Sequence, residues 1–356
     1  MICVPIGRDR VETRSSALAA RDPYPPRVAP TSPLQVLPTM IDDLARVEIA
    51  LDRAVETDFA FLDRIARHLI AAGGKRVRPG FCVASAATGL DPAVAVSDDV
   101  ITGAAAVELV HLGSLYHDDV MDDATVRRNV TSVNAEWGNH RAILAGDYLL
   151  ARASELAASL GTEVAALLAT TIARLCDGQI RELQDTRNVA RTLEDYERSI
   201  AGKTASLLAT ACRIGGISGG VGRADIEAVT EFGHSYGIAF QIVDDILDVT
   251  ATEAQLGKPA GNDLLEGTFT LPVILAMESA DGAQLRELLG TDLDSDAHGR
   301  ALVLIRASGG VEAARDHARA WADKAAAALT SLPDTLGTHA LQAAAGHLVE
   351  RAALPS

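Results

Sequence analysis

From about Asp42 onward, apolar residues return every three or four positions along most of the chain. Between Asp225 and Val249, Ile226, Val229, Phe232, Tyr236, Phe240, Val243 and Leu247 fall on one side of a 3.6-residue helix. Val311, Ala314, Ala318, Trp321, Ala325 and Leu329 repeat that spacing. Aromatic residues make up 4% of the chain and β-branched residues rarely alternate with polar ones, so no strand is predicted. Ser97 before Asp98 and Asp99, and Thr192 before Glu194 and Asp195, put hydroxyls and acids where helix starts leave free N–H groups. Gly161, the run 215–220 and the segment 257–272, with Gly261 and Gly267, are expected as loops. The pattern predicts an all-α fold in a single domain over 41–356. It is preceded by a flexible Pro-rich arm over 1–40, or by an upstream start ahead of Met40.

Composition narrows the chemistry. With 356 residues, 48% hydrophobic and 22% charged, the chain can bury a sizeable core. A formal charge of −16 without a Lys/Arg run argues against a nucleic-acid partner. Cys3, Cys82, Cys176 and Cys212 form no CxxC pair, so neither a zinc site nor a disulfide scaffold is expected, and a reducing cytoplasm is the default location. No transmembrane segment is expected either, because no stretch approaches the ~20 apolar residues of a span.

Two acidic triplets break this apolar pattern. Asp118, Asp119 and Asp122 form a DDxxD at the end of a helix that begins near Ser97, and Asp244, Asp245 and Asp248 form a second. Their flanks echo each other, which hints at duplicated helices. Residues four apart share a helix face about 6 Å apart, so each triplet makes a two-carboxylate rim. Both rims interrupt apolar faces near helix C-termini, where the dipole disfavours carboxylates; ordinary acidic helix starts such as Asp42-Asp43 and Asp98-Asp99 do not. Mg²⁺ characteristically takes one or two carboxylates and leaves its other positions to water and phosphates, so a paired metal site is the expected role.

Cations lie at matching places. Lys75, Arg76 and Arg78 follow Gly73-Gly74, and Arg127-Arg128 follow the first triplet by about one more turn. Lys203 sits between Gly202 and Thr204, and Lys258 lies in the Gly/Pro segment after the second triplet. Each alone reads as a solvated surface charge. Together with six Asp they describe a site for two polyphosphate ligands, one bound through metal and one directly by guanidinium forks and ammonium groups.

With these residues in place, the chain resembles the trans-polyprenyl diphosphate synthases, which join isopentenyl diphosphate head-to-tail to an allylic diphosphate. The likeness runs through GGKRVRP at 73–79, ELVHLGSLYHDDVMDDATVRR at 108–128, GDYLLARA at 146–153, GKTASL at 202–207, FQIVDDILD at 240–248 and GKPAGNDLLEGTFTLP at 257–272. The resemblance implies a helical bundle around a deep central cavity. It further implies that Asp118, Asp119, Asp122, Asp244, Asp245 and Asp248 hold several Mg²⁺ ions bridging the allylic diphosphate. Arg127, Lys203 and Lys258 add positive charge there, with Thr204 in the catalytic set, while Lys75, Arg78, His111 and Arg128 take isopentenyl diphosphate. Gln241 and the ring of Phe240 match the family's aromatic-Gln pair beside the allylic cation, and Arg351 helps close the site. Thr268 stands where family members often carry Lys.

By the same resemblance the product grows down the helix that ends in the first motif, about one isoprene unit per 5.4 Å turn. Gly113 and Ser114 are small where short-chain members commonly carry an aromatic, and Tyr116 is turned away from that face. A hexaprenyl to decaprenyl product is expected from a farnesyl or geranylgeranyl primer. Geranylgeranyl diphosphate synthase and a partner-dependent subunit of a heteromeric synthase are the alternatives; a class I terpene cyclase would not keep both DDxxD motifs. Ala- and Leu-rich helical faces beyond one core's needs make a homodimer the expected assembly.

Overall fold

A computed structural model of the protein describes residues 33–90, 94–251, 260–280, 282–291 and 293–353. After a 3₁₀ turn at Pro33–Val36 come α1 (Met40–Ala54), α2 (Ala60–Ala71), α3 (Val77–Ala86) and α4 (Asp98–Met121). A two-stranded hairpin follows, β1 (Val126–Arg127) and β2 (Val130–Thr131), then α5 (Val133–Trp137), α6 (Asn139–Ser159), α7 (Thr162–Gln184) and α8 (Leu193–Ile200). A π-helical turn at Ala201–Ala205 leads into α9 (Ser206–Ser218) and α10 (Arg223–Thr250). The chain ends in α11 (Asn262–Glu266), α12 (Leu271–Met277), α13 (Gly282–Leu289), α14 (Ser295–Ala307), α15 (Gly310–Ala328) and α16 (Leu336–Ala353).

The all-α expectation is met. α4 is apolar on every side between Val100 and Gly113, as a helix enclosed by others must be, and α1, α3, α6 and α9 pack around it. α10 lies against α9 and α15, burying Ile226, Val229, Phe232, Tyr236 and Val243. Both anticipated starts are capped. Ser97 Oγ accepts from the Val100 N–H at 3.4 Å, and Thr192 with Asp195 forms a reciprocal capping box.

Three expectations change. Leu34, Leu37 and Met40 are buried in the core, so residues 33–40 are not part of an arm; residues 1–32 lie outside the described residues. Gly215 and Gly216 are helical, not loop: a Cβ at Gly215 would collide with the Cys82 carbonyl, so glycine there serves close packing of α9 on α3. The small hairpin appears where no strand was expected.

Arg76, in the left-handed region at φ 47°, caps α3 and turns its guanidinium inward to Glu48 on α1 and Glu108 on α4. The Arg76 and Glu108 side chains are each 2% exposed, and the Nη1 to Oε1 distance is 2.8 Å. Arg76→Met strands the Glu108 carboxylate in the core, an expected loss of about 3–5 kcal/mol visible as a lower urea midpoint. A midpoint equal to wild type would show that the pair contributes nothing net.

Candidate functional site

α4 delivers the first acidic triplet. Asp122 is its C-cap, with its N–H bonded to the Asp118 carbonyl at 2.9 Å, so Asp118 and Asp122 share one rim. Asp119 points the other way and is fully buried; its Oδ1 accepts from Arg127 Nε at 2.6 Å, while its buried Oδ2 accepts no hydrogen bond. Burial first, then the neighbouring Asp122 charge, pushes the Asp118 carboxyl up to about 6, against the pull of Lys203 and Arg127. Burial raises Asp119 and Asp122 as well.

Arg127 and Arg128 lie on the hairpin, not on a continued helical turn. Arg128 and Asn129 both take positive φ, 52° and 62°, which closes the two-residue turn. The two arginines serve different places. Arg127 pairs with Asp119, whereas Arg128 donates to the Leu69 and Gly73 carbonyls and stands 3.7 Å from Glu108.

α10 carries the second triplet. Asp245 is 3% exposed and both of its oxygens are engaged: Tyr196 Oη donates to Oδ2 at 2.6 Å and Gln241 Nε2 to Oδ1 at 2.9 Å. Burial with Asp263 and Asp244 pushes Asp245 well above the usual carboxylate range, and the two donors oppose that push. Asp244 faces Arg351 of α16 at 3.5 Å, and Asp248 accepts from the Asp263 N–H at 3.3 Å.

The π-helical turn joins the two motifs. A Cβ at Gly202 would sit 2.9 Å from Gly178 Cα, so paired glycines let the turn lie directly on α7. Lys203 there pairs with Glu182 of α7, and the Asp118 and Asp122 charges further raise its ammonium. The next residue, Thr204, donates to Gln241 Oε1 at 2.8 Å. Neighbouring residues of one turn thus address opposite acidic rims.

A cationic cluster lies near the first rim: burial, then the charges of Arg78, Arg128, Arg76 and Arg127, hold the His111 imidazole well below its usual range. The buried Arg78 Nε has no hydrogen-bond partner. Lys75 is exposed. Because His111 is neutral when folded and charges more readily when unfolded, its contribution to stability is present above about pH 6.5 and fades below it. Stability should fall with a slope of up to about 1.4 kcal/mol per pH unit below that point, and His111→Asn should flatten it in urea titrations. Equal slopes in both proteins would place a protonated imidazole in the cluster.

Of the residues expected from the sequence, Asp118, Asp122, Arg127, Lys203, Thr204, Gln241, Asp244, Asp245 and Asp248 are brought together, and Lys258 lies outside the described residues. Phe240 is half-buried and stacks on Tyr236 at 6.2 Å between centroids. Thr268 donates its N–H to the Asp263 carbonyl. Tyr116 faces away as expected, donating to the Ile65 carbonyl at 2.8 Å. Ser114 is half-buried, but Gly113 packs against α6. The sequence reading overlooked Glu182, Glu108 and Tyr196; Glu108 left a signal, as a lone acid inside the apolar run 104–110.

The family model described as Polyprenyl synthetase matches residues 59–304. A nonaprenyl diphosphate synthase of Mycobacterium tuberculosis is 43% identical over 311 residues, covering 86% of this chain and 92% of its own. Component 2 of the heptaprenyl diphosphate synthase of Geobacillus stearothermophilus is 40% identical over 293 residues, 82% of this chain and 90% of that protein. A crystal structure of a Caulobacter crescentus polyprenyl synthase, complexed with calcium and isoprenyl diphosphate, superposes with a TM-score of 0.83 at 35% identity, covering 90% of this chain and 98% of that one. No helix among the described residues is long and apolar enough to cross a membrane. With the family model matched over 59–304 and a curated relative matched over most of both chains, the chain belongs to the polyprenyl synthetase family and is a prenyl-transferring enzyme.

Proposed function

We propose that the protein extends a farnesyl or geranylgeranyl diphosphate with isopentenyl diphosphate units to a hexaprenyl to decaprenyl product. The observation that carries this reading is the π-helical turn, which sets Lys203 by the first acidic rim and Thr204 on Gln241, itself the donor to Asp245 of the second motif. The rims take the allylic diphosphate. All their donors are carboxylate oxygens, the set a hard divalent cation prefers. Asp118, Asp122 and Asp244 would hold Mg²⁺, which would supply charge stabilisation for a departing diphosphate.

The chain's own groups do the rest. Arg127 and Lys203 meet the leaving group's charge, while Lys75, Arg78, His111 and Arg128 hold isopentenyl diphosphate from the adjoining cluster. Gln241 and the Phe240 ring line the space between, where allylic cation character develops. Ile143, Leu144, Ile180 and Leu183 remain exposed on the mutually packed α6 and α7, which supports a homodimer joined through these helices.

Incubating the purified protein with Mg²⁺, labelled isopentenyl diphosphate and each of geranyl, farnesyl and geranylgeranyl diphosphates, with products resolved by length, tests the reading. A ladder ending beyond geranylgeranyl is expected. A stop at geranylgeranyl keeps the reaction and overturns the chain length. The likeness to a heptaprenyl synthase component favours one second reading, a subunit active only with a partner, which no incorporation from any primer would support.

A further inference from the structure

The middle carboxylates of the two motifs are arranged alike. Asp119 and Asp245 are buried, and each is tied to a cationic or hydroxyl donor on another element: Arg127 of the hairpin for Asp119, Tyr196 of α8 for Asp245. The second tie is the more extended. Tyr196 is 1% exposed, and the Arg191 guanidinium lies over its ring at 5.5 Å. Arg191 is anchored in turn by the Phe269 carbonyl at 2.9 Å and by Asp185 at 3.6 Å. The phenol has one hydrogen-bonded outlet in this arrangement, Asp245 Oδ2 at 2.6 Å.

From Asp245 the connection continues to the cleft. Tyr196 and Gln241 both donate to Asp245, and Thr204 donates to the remaining polar atom of the Gln241 amide. Donors converging on one carboxylate from two sides leave the amide a single orientation that satisfies every partner. The chain Tyr196–Asp245–Gln241–Thr204 therefore spans α8, α10 and the π-helical turn.

We propose that Tyr196 is a positioning residue for prenyl transfer: its hydroxyl, backed by Arg191, fixes Asp245 and through it the Gln241 amide and the angle of the second acidic rim. Asp245 then acts chiefly as the internal strut of its motif. Asp244, half-buried and 3.5 Å from Arg351, is the carboxylate of this motif left to face the ligand, while Asp248 is buried and accepts from the Asp263 N–H. This inference rests on the prenyl-transfer reading above. It adds to that reading a residue that touches neither substrate nor metal.

The test is Tyr196→Phe, which removes one oxygen and keeps the ring beneath Arg191. Wild type and variant are compared for kcat, for KM of each diphosphate, and for the Mg²⁺ concentration giving half of the thermal stabilisation seen with inorganic diphosphate. Expected are a kcat lower by tenfold or more, a KM for isopentenyl diphosphate within twofold of wild type, and a several-fold higher Mg²⁺ half-point. Thr204→Val cuts the chain at its other end, so losses in the double variant should fall well short of the product of the single losses.

A Y196F enzyme within twofold of wild type in kcat and Mg²⁺ half-point overturns the proposal. So does a loss confined to melting temperature, or strict multiplication of the two losses. Should Y196F fail to fold, Asp245→Asn, which leaves the tyrosine in the core and removes one of the two acceptor oxygens, is judged by the same three readings. A wild type that incorporates no isopentenyl diphosphate sinks the underlying reading instead, so the two failures are told apart.

Discussion

Asp118→Asn is expected to lower turnover by about 10³-fold or more, the scale at which a directly engaged electrostatic group acts on a charged transition state, and to raise the melting temperature of the metal-free protein. The two effects share one cause. Asp118 is packed into a partly buried rim with Asp122, and Glu182 adds a third negative charge nearby, so burial and like charge hold its carboxyl up to about 6. A carboxyl raised in the folded state costs stability progressively as pH rises from its unfolded value of about 4 to about 6, and the full cost remains above that. Neutralising it should therefore stabilise the metal-free protein most at pH 7.5, about half as much at pH 5, and make little difference only below about pH 4, where the group is protonated in both states. Turnover moves the other way because the same charge is what a divalent cation needs. Calorimetry of both proteins at these pH values, beside a single-turnover assay, reads this directly. Turnover within tenfold of wild type, or a lower melting temperature at pH 7.5, would remove Asp118 from the metal site.

What could be read from the chain beforehand was what repeats locally. The 3.6-residue period located α4 and α10, and the hydroxyl-acid pattern at Ser97 and Thr192 marked two true caps. The hairpin escaped notice because each strand is two residues long and its turn is Arg128-Asn129, with no glycine to announce the positive φ. Residues 33–40 read as an arm from their prolines, yet Leu34, Leu37 and Met40 recur every third position and are buried.

At the site, residue type revealed which side chains carry charge but not where each one is directed. Arg76 looks like Arg78 in GGKRVRP, but it is consumed by Glu48 and Glu108, while Arg78 keeps a partnerless buried nitrogen. Six aspartates in two equal motifs suggest six equivalent ligands, whereas the middle one of each turns inward. Glu182 and Tyr196 are ordinary residues of helical stretches until tertiary packing brings them to Lys203 and Asp245.

Direction also separates the two small residues above the first motif, and the consequence is measurable. Ser114 lies one turn before Asp118 on α4, half-buried, with its hydroxyl donated to the His111 carbonyl at 2.9 Å. Gly113 is turned toward α6, where a Cβ would meet the Gly146 carbonyl oxygen at 3.1 Å and Leu150 at 3.2 Å. A ring at 114 can project beneath the acidic rim as a floor, and each 5.4 Å turn of lost depth is about one isoprene unit. Ser114→Phe is therefore expected to shift the product distribution down by several units while primer consumption persists. Gly113→Phe must instead force α4 and α6 apart, at an overpacking cost of about 1–3 kcal/mol or more, so its expected result is a lower melting temperature and less product of unchanged length. Product ladders and melting curves of both variants separate the cases: an unshortened ladder from S114F would show that the growing chain does not descend along this face of α4.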